Sequence, residues 1–152
     1  MSQVQPQQTR VYETYTRATA ENVWQALTDP EVTQQYYYYT RAESDWKQGS
    51  TVSWVNQEGN ADLEGKILEI EEPRRLVTTF EPAWAPKVEG VTPSTVSYEI
   101  QSFGDITKLT LTHAGIDPSD PADAGVHEGW VQIVSSLKSL LETGQPIPMI
   151  MG

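Results

Sequence analysis

The chain has 152 residues, enough for one domain with a sizeable core, and sets 10 Lys and Arg against 21 Asp and Glu, a formal net charge of −11. That field repels nucleic acid and anionic membrane and argues against both as partners. With no cysteine in the sequence, disulfides, thiolate metal sites and thiol nucleophiles are excluded together.

"MSQVQPQQTR" is polar and has no apolar segment of a secretory signal, and no apolar run approaches the ~20 residues of a membrane span. The expectation is a cytoplasmic monomer or homodimer with no membrane insertion. Residues 1–9 read as a disordered tail, 10–144 as a single domain and 145–152 as a C-terminal tail. "RVYETYTR", Arg10 to Arg17, is β-branched and aromatic enough for a strand. Thr19 then caps a helix through "AENVWQAL", in which Val23, Trp24 and Leu27 share a face. "DPEVTQQY" restarts the helix with Asp29 as cap and Pro30 at its first position. Four adjacent tyrosines, Tyr36 to Tyr39, stand where this second short helix should end.

From Thr51 the pattern changes to period two. "TVSWVN", "DLEGKILEIEE", "RRLVTTFEP", "STVSYEIQS" and "ITKLTLTHA" read as strands, broken at Gly59, Pro73, Gly90 with Pro93, and Gly104. Val96, Tyr98 and Ile100 face one way, as do Leu109, Leu111 and His113. A sheet with one apolar face needs a cover. A helix from about Asp123 to Thr143 supplies it, its stripe formed by Val126, Trp130, Ile133, Val134, Leu137, Leu140 and Leu141. Gly144 and Pro146 end it. The fold class is α+β: strand, two short helices, a run of antiparallel strands, one long amphipathic helix.

Catalytic signatures are absent: no G-x-S-x-G, no dinucleotide or phosphate loop, no H-E-x-x-H. His113 with Asp117, Asp120 and Asp123 lacks metal-ligand spacing, and the aspartates suit turns and caps, so no metal and no cofactor is expected. His113 continues an apolar strand face. It reads first as a buried histidine satisfied by a hydroxyl or carbonyl, and second as a polar group in a ligand cavity. Glu64, Glu69 and Glu99 are strand carboxylates expected to face outward. The aromatic residues Trp54, Phe80, Trp84, Tyr98 and Trp130 lie on or near apolar faces. They read either as core or, with the tyrosine run at the open end of sheet and helix, as a cavity lining. Alternation in an extended segment selects Tyr36 and Tyr38 as mouth residues. With Val134, these residues and His113 make up the candidate ligand site.

"YTRATAENVWQALTDPEVTQQYYYYT", "SDWKQGS", "GKILEIEEPRRLVTTF", "TKLTLTHAG" and "GWVQIVSSLKSLLETG" resemble, in order and from about Val11 to Gly144, the bacterial relatives of the C-terminal domain of the activator of the heat-shock-protein-ninety ATPase. These belong to the START-like (SRPBCC) superfamily. The resemblance implies a helix-grip fold, with a curved antiparallel sheet wrapped around the long helix and a cavity between them for a lipid-like, polyketide-like or other small hydrophobic molecule. Relatives carry a mixed aromatic cluster, often with Trp, where Tyr36 to Tyr39 stand, and four hydroxyls there suggest a ligand with some polar groups. Two other readings follow from the resemblance: a cavity-based enzyme of the polyketide cyclase/dehydratase type, with His113 as its acid or base, and a heat-shock-protein-ninety co-chaperone. The eukaryotic activators place a separate domain ahead of this one, for which 152 residues leave no room. Ligand binding therefore ranks first.

Overall fold

The structure, a computed structural model, describes residues 7–85, 90–117, 119–123 and 125–151. Strand β1 (Gln8–Thr16) leads into α1 (Ala20–Thr28) and α2 (Pro30–Tyr36). Then come β2 (Arg41–Glu43), β3 (Thr51–Val55), β4 (Ala61–Glu71), β5 (Arg75–Pro82), β6 (Ser94–Phe103) and β7 (Ile106–Ile116), a single helical turn at Pro121–Asp123, and α3 (Val126–Thr143). The short helices form where their capping residues permit. The Thr19 hydroxyl accepts from the Asn22 N–H at 3.1 Å, and an Asp29 carboxylate oxygen accepts from the Glu31 N–H at 2.9 Å. Asp29 closes α1 and opens α2 at once, so the two helices meet at a sharp corner.

Among the described residues the seven strands make one open antiparallel sheet in the order β1-β7-β6-β5-β4-β3-β2. Register follows the alternation: Val96 stands opposite His113, Tyr98 opposite Leu111 and Ile100 opposite Leu109, all on the inner face. Glu64, Glu69 and Glu99 are exposed, and Glu69 and Glu99 both pair with Arg75 across the outer face. The sheet's curl requires a residue without Cβ at Gly65, because a Cβ there would stand 2.3 Å from the Thr79 carbonyl oxygen. Inner-face residues, Val23, Trp24, Ala26 and Leu27 of α1, and Trp130, Ile133 and Leu137 of α3 form one apolar cluster.

Three expectations are adjusted. α3 begins at Val126 rather than Asp123, because Pro121–Asp123 is a separate turn and Gly125 adopts φ 77° between them. β1 takes in Gln8 and Thr9, two residues of the expected N-terminal tail; residues 1–6 lie outside the described residues. β2, only three residues long, was too short to show period two. It forms because the Thr33 hydroxyl accepts from the Ala42 N–H at 2.8 Å and Ala42 pairs with Trp54. At the free edge of β1, Lys138 of α3 donates to the Tyr15 carbonyl and pairs with Glu142 at 2.9 Å. No helix among the described residues is long and apolar enough to cross a membrane.

Candidate functional site

Where α3 starts, it stands off the sheet and leaves a cleft of about 560 Å³. Small-molecule sites commonly span about 300–1,000 Å³ and are mostly apolar with a few placed polar groups. The sheet contributes Trp54, Asp62, Leu63 and Phe80, the loop after β5 adds Ala83 and Trp84, and α3 adds Val126, Gly129, Trp130 and Ile133. Tyr37, Tyr38 and Thr40 close one side, with Met151 beside them. The rings form a continuous series. Trp54 stacks on Tyr37 at 5.6 Å, Tyr37 meets Trp130 edge-on at 6.0 Å, and Trp130 meets Phe80 at 6.1 Å. Phe80 meets Trp84 at 6.0 Å. Trp84 is 55% exposed, and its indole N–H donates to the Ala122 carbonyl at 3.3 Å.

The tyrosine run is not extended. α2 continues through Tyr36, Tyr37 caps it, and Tyr38 and Tyr39 both adopt left-handed backbone, φ 48° and 59°. Alternation therefore does not apply. Tyr36 turns inward and its hydroxyl donates to the Ala26 carbonyl at 2.5 Å. Tyr37 is buried, hydrogen-bonded to the Tyr98 hydroxyl, and its ring forms part of the cleft wall. Burial pushes the phenols of Tyr36, Tyr37 and Tyr98 upward and holds all three neutral, with Tyr37 donating to the Tyr98 hydroxyl. Tyr38 lies at the mouth, and a Cβ at position 129 would meet its hydroxyl at 3.6 Å. Helix α3 thus has a glycine in its first turns where the Tyr38 ring crosses it. Burial, then the charge of Glu128, raises the Tyr38 phenol.

His113 is fully buried among Ser94, Phe80 and Trp130. The Trp130 indole N–H can only donate, and it reaches His113 Nδ1 at 2.9 Å. Nδ1 is therefore the acceptor, and Nε2 carries the proton and donates to Ser94 Oγ at 2.8 Å. Burial lowers the imidazole pKa to about 4, which agrees with this neutral tautomer. The pair has the members of a serine–histidine dyad with the polarity reversed: a base would have to accept the serine proton at the nitrogen that here donates. Asp117, Asp120 and Asp123 serve the loop before α3. Asp117 accepts from Ser119, Asp120 from the Ala122 N–H, and Asp123 from the Asp117 N–H.

Of the residues singled out in the sequence, the structure brings Tyr38, Trp54, Phe80, Trp84 and Trp130 to the cleft. Tyr36, Tyr98, His113 and Val134 stand away from its lining. Tyr36 and Tyr98 are core rings, His113 is a core polar group, and Val134 packs on the core one helix position from Ile133. Sequence reasoning passed over Tyr37, Leu63, Ile133 and Met151. Leu63 and Ile133 were legible in principle, as an inward strand position and one turn along the stripe from Trp130. Tyr37 and Met151 carried no local signal.

An α+β helix-grip domain with an aromatic cleft between sheet and helix is thus defined. The chain belongs to the family described as activator of Hsp90 ATPase homolog 1-like protein, whose model matches residues 17–142. It is similar to an HSP90 activator from Plasmodium falciparum: 25% identity, 88% of this chain and 95% of that one covered, TM-score 0.71. It is also similar in fold to CalU16 from Micromonospora echinospora at 24% identity, 96% and 83% coverage and TM-score 0.72. A third structure, an Aha1 dimer from Colwellia psychrerythraea, matches at 18% identity, 90% and 97% coverage and TM-score 0.73. A comparison with curated proteins gives no match.

Proposed function

We propose that the protein binds a small hydrophobic or amphipathic molecule in the cleft between sheet and α3. The observation that carries this reading is the aromatic series that walls the cleft, running from the buried rings of Trp54, Tyr37, Trp130 and Phe80 to the exposed Trp84 at its open side. The Tyr38 hydroxyl at the mouth and the Asp62 carboxylate offer polar anchors, Asp62 being held by the Asn56 amide at 2.8 Å. A catalytic reading through His113 has no support, because both ring nitrogens are committed and the ring is outside the cleft lining. Native mass spectrometry of freshly purified protein is expected to reveal a co-purifying small molecule. Titration of the emptied protein with the neutral probe N-phenyl-1-naphthylamine should quench tryptophan emission saturably, since three of the five tryptophans line the cleft. No adduct and no saturable quenching would end the proposal.

A second reading, contact with a heat-shock-protein-ninety chaperone, rests on the likeness to the Plasmodium activator. Saturable stimulation of such a chaperone's ATPase at micromolar concentration would establish it, and the probe competing with that stimulation would join the two readings. A homodimer, motivated by the Colwellia relative, is checked by sedimentation velocity.

A further inference from the structure

Beyond the residues that the family model matches, the chain turns back on itself. Gly144 ends α3 in left-handed backbone, and residues 145–151 run along the helix toward the cleft. The start of this segment is anchored at Gln145, whose carbonyl accepts from the Ser139 and Thr143 hydroxyls at 2.7 and 3.3 Å and whose N–H donates to the Thr143 hydroxyl at 3.1 Å. Ser136, itself fully buried, donates its hydroxyl to the Ile147 carbonyl at 2.7 Å and accepts from the Ile147 N–H at 3.0 Å. The Tyr39 hydroxyl accepts from the Met149 N–H at 3.1 Å, and Gln132 Oε1 accepts from the Ile150 N–H at 2.8 Å. Met149 is the segment's one buried apolar side chain, whereas Ile150 and Met151 are 74% and 62% exposed.

We infer that residues 145–151 form a strap that opens and closes over the cleft, latched by Tyr39 and Gln132, with Met151 as its contact to bound ligand. This rests on the ligand-binding reading above. Beyond Ile147 the segment is held by two hydrogen bonds and one buried side chain, and such a stretch opens at a small fraction of the cost of global unfolding. Closing over an apolar ligand would bury Ile150 and Met151, giving the ligand a differential affinity for the closed state. Methionine suits such a wall because its unbranched chain adapts to different shapes. Tyr38 and Tyr39 are neighbours in one left-handed turn, which places the residue at the cleft mouth directly beside the residue that latches the strap.

The test uses the full chain. In Tyr39→Phe the ring stays and only the acceptor goes. The Met149 amide should then exchange about two- to tenfold faster, the equivalent of one hydrogen bond, while α3 amides keep their protection. N-phenyl-1-naphthylamine should associate and dissociate faster by a similar factor in stopped flow, and Gln132→Ala should repeat the pattern at Ile150. Met151→Ala, at an exposed position, should weaken the probe about fourfold, the equivalent of one buried methylene. Unchanged probe kinetics in both latch variants, or unchanged affinity in Met151→Ala, would overturn the strap while leaving ligand binding intact. Wild-type protein that fails to bind the probe would overturn both.

Discussion

Tyr36 and Tyr37 differ from Tyr38 and Tyr39 in everything except identity. The first pair is buried, Tyr36 in the core with its hydroxyl on the Ala26 carbonyl, Tyr37 with its hydroxyl on Tyr98 and its ring in the cleft wall. The second pair sits in left-handed backbone, with Tyr38 at the cleft mouth and Tyr39 holding the segment after α3. The difference arises where α2 stops. A helical residue is carried inward by the helix's own rotation, while the residues beyond the cap take whatever direction the turn to β2 demands. Left-handed backbone costs a bulky L-residue about 1–2 kcal/mol, a cost the surrounding contacts offset. Identical side chains thus divide into buried and half-buried pairs at a single helix end.

The largest effect that would break this comparison is expected from Tyr36→Ala. Truncating a fully buried ring should cost about 3–5 kcal/mol in chemical denaturation. A loss below about 1 kcal/mol would place Tyr36 with the rim residues and dissolve the contrast.

Next comes the core polar group beneath the rings. His113 is neutral when folded, with a pKa near 4 against about 6.5 when unfolded. As pH falls below 6.5 the unfolded chain takes up the proton first. The stability is therefore fully present above 6.5 and is lost as pH falls toward 4, about 3 kcal/mol in all. Comparing urea midpoints of wild type and His113→Gln between pH 7 and pH 4 isolates this share from the carboxylates. A His113 imidazole resonance, assigned by its loss in His113→Gln, that titrates near 6.5 in the folded protein would contradict it.

Smaller again is Tyr36→Phe, which keeps the ring and leaves the Ala26 carbonyl without its partner. About 1 kcal/mol should be lost. Equal stability to wild type would mean water replaces the hydroxyl, and that the site is wetter than its burial implies.

The smallest stability change belongs to Tyr38→Ala, below about 1 kcal/mol, because its ring is only half-buried at the edge of the apolar cluster. Its effect should appear instead as weaker binding of N-phenyl-1-naphthylamine. Reduced stability with unchanged probe affinity would reverse the roles assigned to the two halves of the run.

Much of the scaffold was legible because its signals are local. Thr19, Asp29 and Pro30 mark their helices through capping chemistry, and Leu109 to His113 declare an inward face by alternation. The stripe on α3 announces burial of Trp130 and Leu137 by its period. None of these needs a distant partner to be recognised.

What the sequence by itself determined is therefore the order of elements, the apolar faces and the amphipathic cover, since each follows from residue spacing and backbone preference. Only the tertiary structure decided which aromatic rings meet across the cleft, why Trp54 stacks on Tyr37, and that His113 receives the Trp130 N–H. It also decided that the run of tyrosines breaks into left-handed turn and that Met151 returns to the cleft. Those outcomes depend on contacts between residues far apart in the chain, and such contacts leave no periodic trace.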